Sequence, residues 1–176
     1  MEAKTLAASM NIPLARAQKW APALSLAMDG ANINNRRRMA AFLAQIGHES
    51  GSLVYTKELG GEKYLSKYEG RKDLGNTQPG DGVKFAGRGL IQVTGRANYA
   101  KASQALFGDD RLLRTPEMLE QPEWAAKSAA WYWTSRNLNV LADQDRFTDI
   151  TKAINGGTNG LEDRKARYRL ALSVLL

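Results

Sequence analysis

The chain has 176 residues, 43% of them hydrophobic, enough for one sizeable core, so a single domain over 1–176 is expected. It has no cysteine and one histidine, His48, which excludes a disulfide framework, a thiolate metal site and the common zinc ligand sets; no metal and no cofactor is expected. A net charge of +7 and an isoelectric point near 9.7 favour an anionic partner such as nucleic acid, a membrane or a cell wall, without choosing among them.

The first twenty residues start acidic, and Lys4, Arg16 and Lys19 interrupt their apolar positions, so they read as neither a secretory signal nor a membrane span. Synthesis in the cytoplasm is expected, with another factor letting the protein through if it acts outside. Leu6 to Met28 reads as two helices broken around Asn11-Ile12-Pro13, with Pro13 in a first turn where its missing N–H costs little. Asn34 or Asn35 can cap the next helix. In that helix Met39, Phe42, Leu43 and Ile46 recur at core-facing spacing, and the same register carries Glu49 and Ser50. Gly51-Ser52 is a plausible stop, which sets Glu49 near the negative end of the helix dipole.

Tyr55 to Asp73 is polar and basic, and Gly60-Gly61 weakens any long helix there. Gly75 to Gly89 is turn-rich and reads as a loop, and Leu90 to Thr94 as a short strand or extended edge. Ala97 to Phe107, Glu123 to Thr134 and Glu162 to Leu176 read as helices. Residues 100–150 are a candidate helical subdomain. Helical spacing assigns Trp124, Trp131, Tyr132 and Trp133 to a core in preference to stacking on sugars or bases. The basic final helix resembles one that lies on a membrane surface, yet packing onto the domain accounts for it better.

The chemistry concentrates on carboxylates. Burial and the helix dipole both disfavour an ionised Glu49, as a general acid working near neutral pH requires. Glu58, Glu62 and Glu69 follow it. Hydrolysis of a glycosidic bond with inversion needs a second carboxylate to activate water, and nine residues of chain can span the separation of roughly 6.5–9.5 Å such a pair requires. Gln92 and Thr94 share one face of the expected extended segment, where an amide and a hydroxyl can hold an N-acetyl group or the attacking water. A Ser-His-Asp triad would have to use His48, which reads instead as a polar residue lining a cleft.

Four ordered blocks, HES at 48–50, YEGRKDLGNTQPGDG at 68–82, GRGLIQVTGRANY at 87–99 and INGGTNGLEDR at 154–164, resemble glycoside hydrolase family 19 in its compact phage endolysin branch. The resemblance implies a mainly α, lysozyme-like fold of two helical lobes with a small β element and a central cleft. It implies hydrolysis, with inversion, of β-1,4 links in chitin or peptidoglycan. By position, Glu49 matches the general acid and Glu58 the base. Gln92, Thr94 and Asn98 match the set that orients substrate and water, and His48, Arg88, Tyr99 and Asn155 are further substrate-binding candidates. Arg164 matches a cleft arginine that can pair with the second carboxylate. Asn159 stands where chitinases carry glutamate, and Leu59-Gly60-Gly61 where many endolysins carry tryptophan.

The expected activity is that of a monomeric endolysin, an N-acetylmuramidase acting on peptidoglycan glycan strands at the cell wall, with possible anionic wall or membrane-surface contact. The rivals are a chitinase, a lytic transglycosylase using one glutamate, and a nucleic-acid-binding helix-turn-helix over residues 5–20. The last leaves the four blocks unexplained, so no nucleic-acid partner is expected.

Overall fold

The computed structural model describes residues 1–176. It contains helices α1 (Ala3–Met10), α2 (Leu14–Gly30), α3 (Arg36–Glu49), α4 (Glu62–Leu65), α5 (Asp81–Lys84), α6 (Arg96–Phe107), α7 (Arg111–Arg114), α8 (Pro122–Ser135), α9 (Leu138–Asp143), α10 (Phe147–Asn155) and α11 (Leu161–Val174). Pro13 stands just before α2 and not in its first turn, and the 75–89 loop folds its centre into the single turn of α5. Asn35 caps α3, its side-chain oxygen accepting the Arg38 N–H.

Helix α3 is surrounded by protein. Every residue from Ala40 to Gly47 is buried, not only the expected stripe, because alanines at 40, 41 and 44 and Gly47 let neighbouring helices approach the other faces. It packs chiefly on α11, while α2 lies along α8, and Phe42 meets Trp133 of α8 edge-on with ring centres 5.4 Å apart. These helices, with α1, α9 and α10, enclose the main core of 31 buried residues. A second core holds only Phe85, Val93, Tyr99, Ala102, Leu112 and Leu119, from the 85–93 segment, α6, α7 and the 3₁₀ turn at 116–120. The fold is therefore two-lobed and mainly α. Residues 100–150 divide between the lobes, α6 and α7 in the small one and α8 to α10 in the large.

Leu90 to Thr94 is not a strand. Gln92 takes a left-handed backbone (φ 48°), and the Arg88 and Val93 backbones bond to each other across a tight turn. The β element reduces to two isolated antiparallel bridges, Lys57 to Arg88 and Arg88 to Val93. Glycines at 87, 89 and 95 favoured the turn over the extension that the β-branched residues suggested.

With so small an apolar core, the small lobe leans on buried polar bonds. Asn76 donates to the Tyr68 carbonyl at 2.9 Å and accepts the Arg96 N–H at 2.8 Å. Asp81 receives Arg96 bidentately at 2.8 and 2.9 Å. At the surface, Glu69 accepts the Gly80 and Gly82 amides.

The Arg96 hydrogen bonds hold the Asp81 carboxyl below the usual carboxylate range despite burial. Asp81→Asn should cost about 3 kcal/mol, the low end for breaking a buried pair, because Arg96 keeps some access to water. In a thermal melt at pH 7 that lowers Tm by roughly 6–12 °C. A depressed folded pKa stabilises above the unfolded value, so the gap between variant and wild type should be full above about pH 4 and close as pH falls through the folded value.

Candidate active site

Glu49 is the last residue of α3, and its side chain is about one-fifth exposed. The carboxyl is half-buried, as the helix register implies, but its neighbour is a cation. Arg164, 1% exposed on α11, donates Nη2 to Glu49 Oε1 at 2.7 Å, Nη1 to Gln45 Oε1 at 2.6 Å and Nε to the Asn159 carbonyl at 3.0 Å. Gln45, fully buried one turn before Glu49, passes its amide to Thr151 Oγ1 of α10 at 2.9 Å. Three helices thus fix one oxygen of Glu49. Oε2 has no hydrogen-bond partner in the protein. Arg164 pairs with this first carboxylate, not the second, because α11 packs directly against α3.

The chain then turns sharply. Gly51, Ser52 and Leu53 all lie in the left-handed region (φ 58°, 61° and 67°), a conformation costing about 1–2 kcal/mol for each residue that carries a Cβ. The surroundings over-determine it. Ser50 Oγ accepts the Leu53 N–H, Gly47 accepts the Ser52 N–H, Arg16 and Arg167 hold the Ser52 carbonyl and hydroxyl, and Leu53 is buried. This turn carries the chain from the large lobe to Glu58 in the small one.

The Glu58 N–H donates to the Gly87 carbonyl at 2.8 Å, and the Gly89 N–H donates back to the Thr56 carbonyl at 2.8 Å. Both its carboxyl oxygens accept: Oε1 from the Tyr68 hydroxyl at 2.7 Å, with Lys67 Nζ at 3.7 Å, and Oε2 from the Gly87 N–H at 3.3 Å. Burial, then the bond to Glu58, pushes the Tyr68 hydroxyl above its ordinary pKa, so it remains a donor. A Cβ at Gly87 would collide with the Gln92 amide oxygen and crowd Thr94 Oγ1, so Glu58, Gln92 and Thr94 converge on a position that only glycine fits.

Gln92, Thr94 and Asn98 line a pocket of about 180 Å³ between the lobes, with Leu74 and Val93 on their side and Trp131 and Tyr132 of α8, with Arg136 just past its end, opposite. Burial raises the Tyr132 hydroxyl above its usual pKa; the Arg136 charge opposes this and the Glu49 charge adds to it. Neither glutamate lines this pocket; Glu58 approaches it through Gly87, which Gln92 and Thr94 flank, and Glu49 lies within electrostatic reach of Tyr132. Larger depressions, of about 490 Å³ between α10 and α11 and about 430 Å³ at the chain termini, are reached by neither carboxyl.

The other candidates separate. Asn155 is exposed at the end of α10, beside the Ala153 and Ile154 carbonyls that accept from Tyr132. Tyr99 is fully buried; its hydroxyl donates to the Ala86 carbonyl and accepts from Arg88, so it belongs to the small core and not to a substrate surface. Arg88 is buried too, bonded to Glu120, Tyr99 and the Lys84 carbonyl, and supports the turn from below. The His48 ring lies against Gly160, where any Cβ would overlap it, and Nδ1 bonds Asp163 at 2.7 Å. It locks the 155–160 loop to α3 and lines none of the pockets described above. Burial works against ionising Asp163, but Arg167 and His48 hold its pKa below the usual range.

Tyr68, Lys67 and Gln45 carry almost no sequence signal of a role here. Tyr68 opens one of the four sequence blocks, ten residues after Glu58, and that was the only available signal. Of the aromatic group, Trp133 is core and Trp124 packs on Phe107, while Trp131 and Tyr132 face the pocket.

The sequence profile of the family described as chitinase class I matches residues 11–145, which include both glutamates. A glycosyl hydrolase family 19 domain-containing protein of Haemophilus influenzae is 33% identical over 175 residues, 84% of either chain. An endochitinase of Arabidopsis thaliana is 38% identical over 124 residues, 69% of this chain but 40% of its own, so the chain spans less than half of that plant relative. The crystal structure of chitinase C from Streptomyces griseus superposes with a TM-score of 0.77 at 27% identity, covering 98% of this chain and 91% of that one. That overlap is wider than the profile match, and with profile and relatives in agreement the chain belongs to glycoside hydrolase family 19.

Proposed function

We propose that this hydrolase cleaves β-1,4 bonds in the glycan strand of bacterial peptidoglycan with inversion. Glu49 gives its proton to the leaving oxygen, and Glu58 takes one from the attacking water. The asymmetry of the two carboxyls carries the assignment of roles. Glu49 keeps one oxygen free to hold a proton, with Arg164 ready to stabilise the carboxylate that donation leaves, whereas both oxygens of Glu58 already act as acceptors. In this reading Gln92, Thr94 and Asn98, which line the pocket between the lobes, orient substrate and water, and Asn155 follows the carbonyls that Tyr132 of that pocket bonds. The surplus of seven positive charges supports an anionic wall polymer, reached after release from the cytoplasm.

A chitin substrate is the second reading, favoured by the names of the plant and Streptomyces relatives. Digesting purified peptidoglycan and chitin oligomers side by side, with mass spectrometry of the new ends, tests the choice. The expected result is N-acetylmuramic acid at new reducing ends. Cleavage of chitin alone would replace the proposal with the second reading.

A further inference from the structure

The rim beside Glu58 carries a cation that holding the carboxylate does not require. Tyr68 and the Gly87 amide already occupy both oxygens of Glu58, and Lys67 is the most distant of the three contacts, at 3.7 Å. Its ammonium is nonetheless fixed in place, 3.8 Å from the centre of the Tyr64 ring and 4.9 Å from that of Tyr68, while the side chain stays 44% exposed. Tyr64 is itself located by Gly60, whose missing Cβ leaves room for the ring. Lys57, Lys63 and Lys72 on the same stretch form no ion pair, and the nearby acid Glu69 is engaged by two loop amides. The result is a positioned, half-exposed positive charge beside Glu58, the carboxylate to which water activation is assigned.

We propose that Lys67 is a specificity residue that binds a free carboxylate of the stem peptide on the muramyl sugar. This rests on the peptidoglycan reading above. Chitin and peptidoglycan share a β-1,4 backbone of N-acetylated sugars, and the lactyl-linked peptide is the part that brings negative charge. A cation held over two rings loses little freedom on pairing, so the contact acts near the upper end for an exposed ion pair, about 5-fold in kcat/KM.

The test compares wall fragments carrying native stem peptides with the same fragments after their carboxylates have been converted to amides. Wild-type enzyme should cleave the native form about 5-fold more efficiently, Lys67→Gln should bring the ratio close to one, and Lys67→Arg should keep it. An equal loss on both substrates in Lys67→Gln would overturn the proposal and leave Lys67 only a positioning contact of Glu58, as would a wild type with no preference. Cleavage of chitin oligomers with neither wall fragment touched would instead show that the peptidoglycan reading itself had failed, before any variant is made.

Discussion

Glu49→Gln is expected to lower kcat by about 10²–10⁴-fold or more, the contribution of a positioned general acid. Glutamine is nearly the same shape, and its carbonyl oxygen can still accept from Arg164 Nη2, but it has no proton to give the leaving oxygen. The guanidinium then loses its counter-charge while keeping its bonds to Gln45 and the Asn159 carbonyl. A modest fall in Tm is therefore expected together with an unchanged circular dichroism spectrum. Lysis of permeabilised cells at near the wild-type rate would remove Glu49 from the mechanism. Arg164→Ala is a poorer probe, because it opens a cavity among α3, α10 and α11 and leaves the Gln45 amide oxygen without its donor.

Local patterns in the sequence located the helices that matter. Helix α3 follows from its apolar spacing and its Asn35 cap, and the long helices α6, α8 and α11 agree with their periodicity to within a residue or two. The failures were of two physical kinds. Leu90 to Thr94 has strand-like residues, but the glycines around it permit a left-handed turn, which brings Gln92 and Thr94 together at Gly87 by a different route from the one expected. The environment of Glu49 is set from afar: its partner lies 115 residues away, and no local spacing reveals a buried guanidinium arriving from α11. Arg88 and Tyr99 show the converse error. They sit in a block shared with the site, yet their side chains point into the small lobe and support the turn that carries Gln92 and Thr94.

Glu58→Gln tests the other half of the mechanism and separates hydrolysis from intramolecular cleavage. An inverting hydrolase needs this carboxylate to draw a proton from water, so kcat should again fall by about 10²–10⁴-fold. Glu62→Gln should stay close to wild type, since Glu62 is exposed and forms no ion pair or side-chain hydrogen bond. Glu69 is a less clean control because it holds the 80–82 loop. Tyr68→Phe should fall between the two, with a loss of roughly 10-fold, since it removes one charge-assisted hydrogen bond and leaves the Gly87 amide in place. The products discriminate further. Water as nucleophile leaves ordinary reducing ends, whereas a lytic transglycosylase uses the muramyl sugar's own hydroxyl, releases 1,6-anhydro ends and needs no second carboxylate. Anhydro ends from wild-type enzyme would overturn the hydrolytic mechanism. Reducing ends with Glu58→Gln still fully active would keep hydrolysis and reassign water activation to the polar set at Gln92, Thr94 and Asn98, which faces the same pocket from the small lobe.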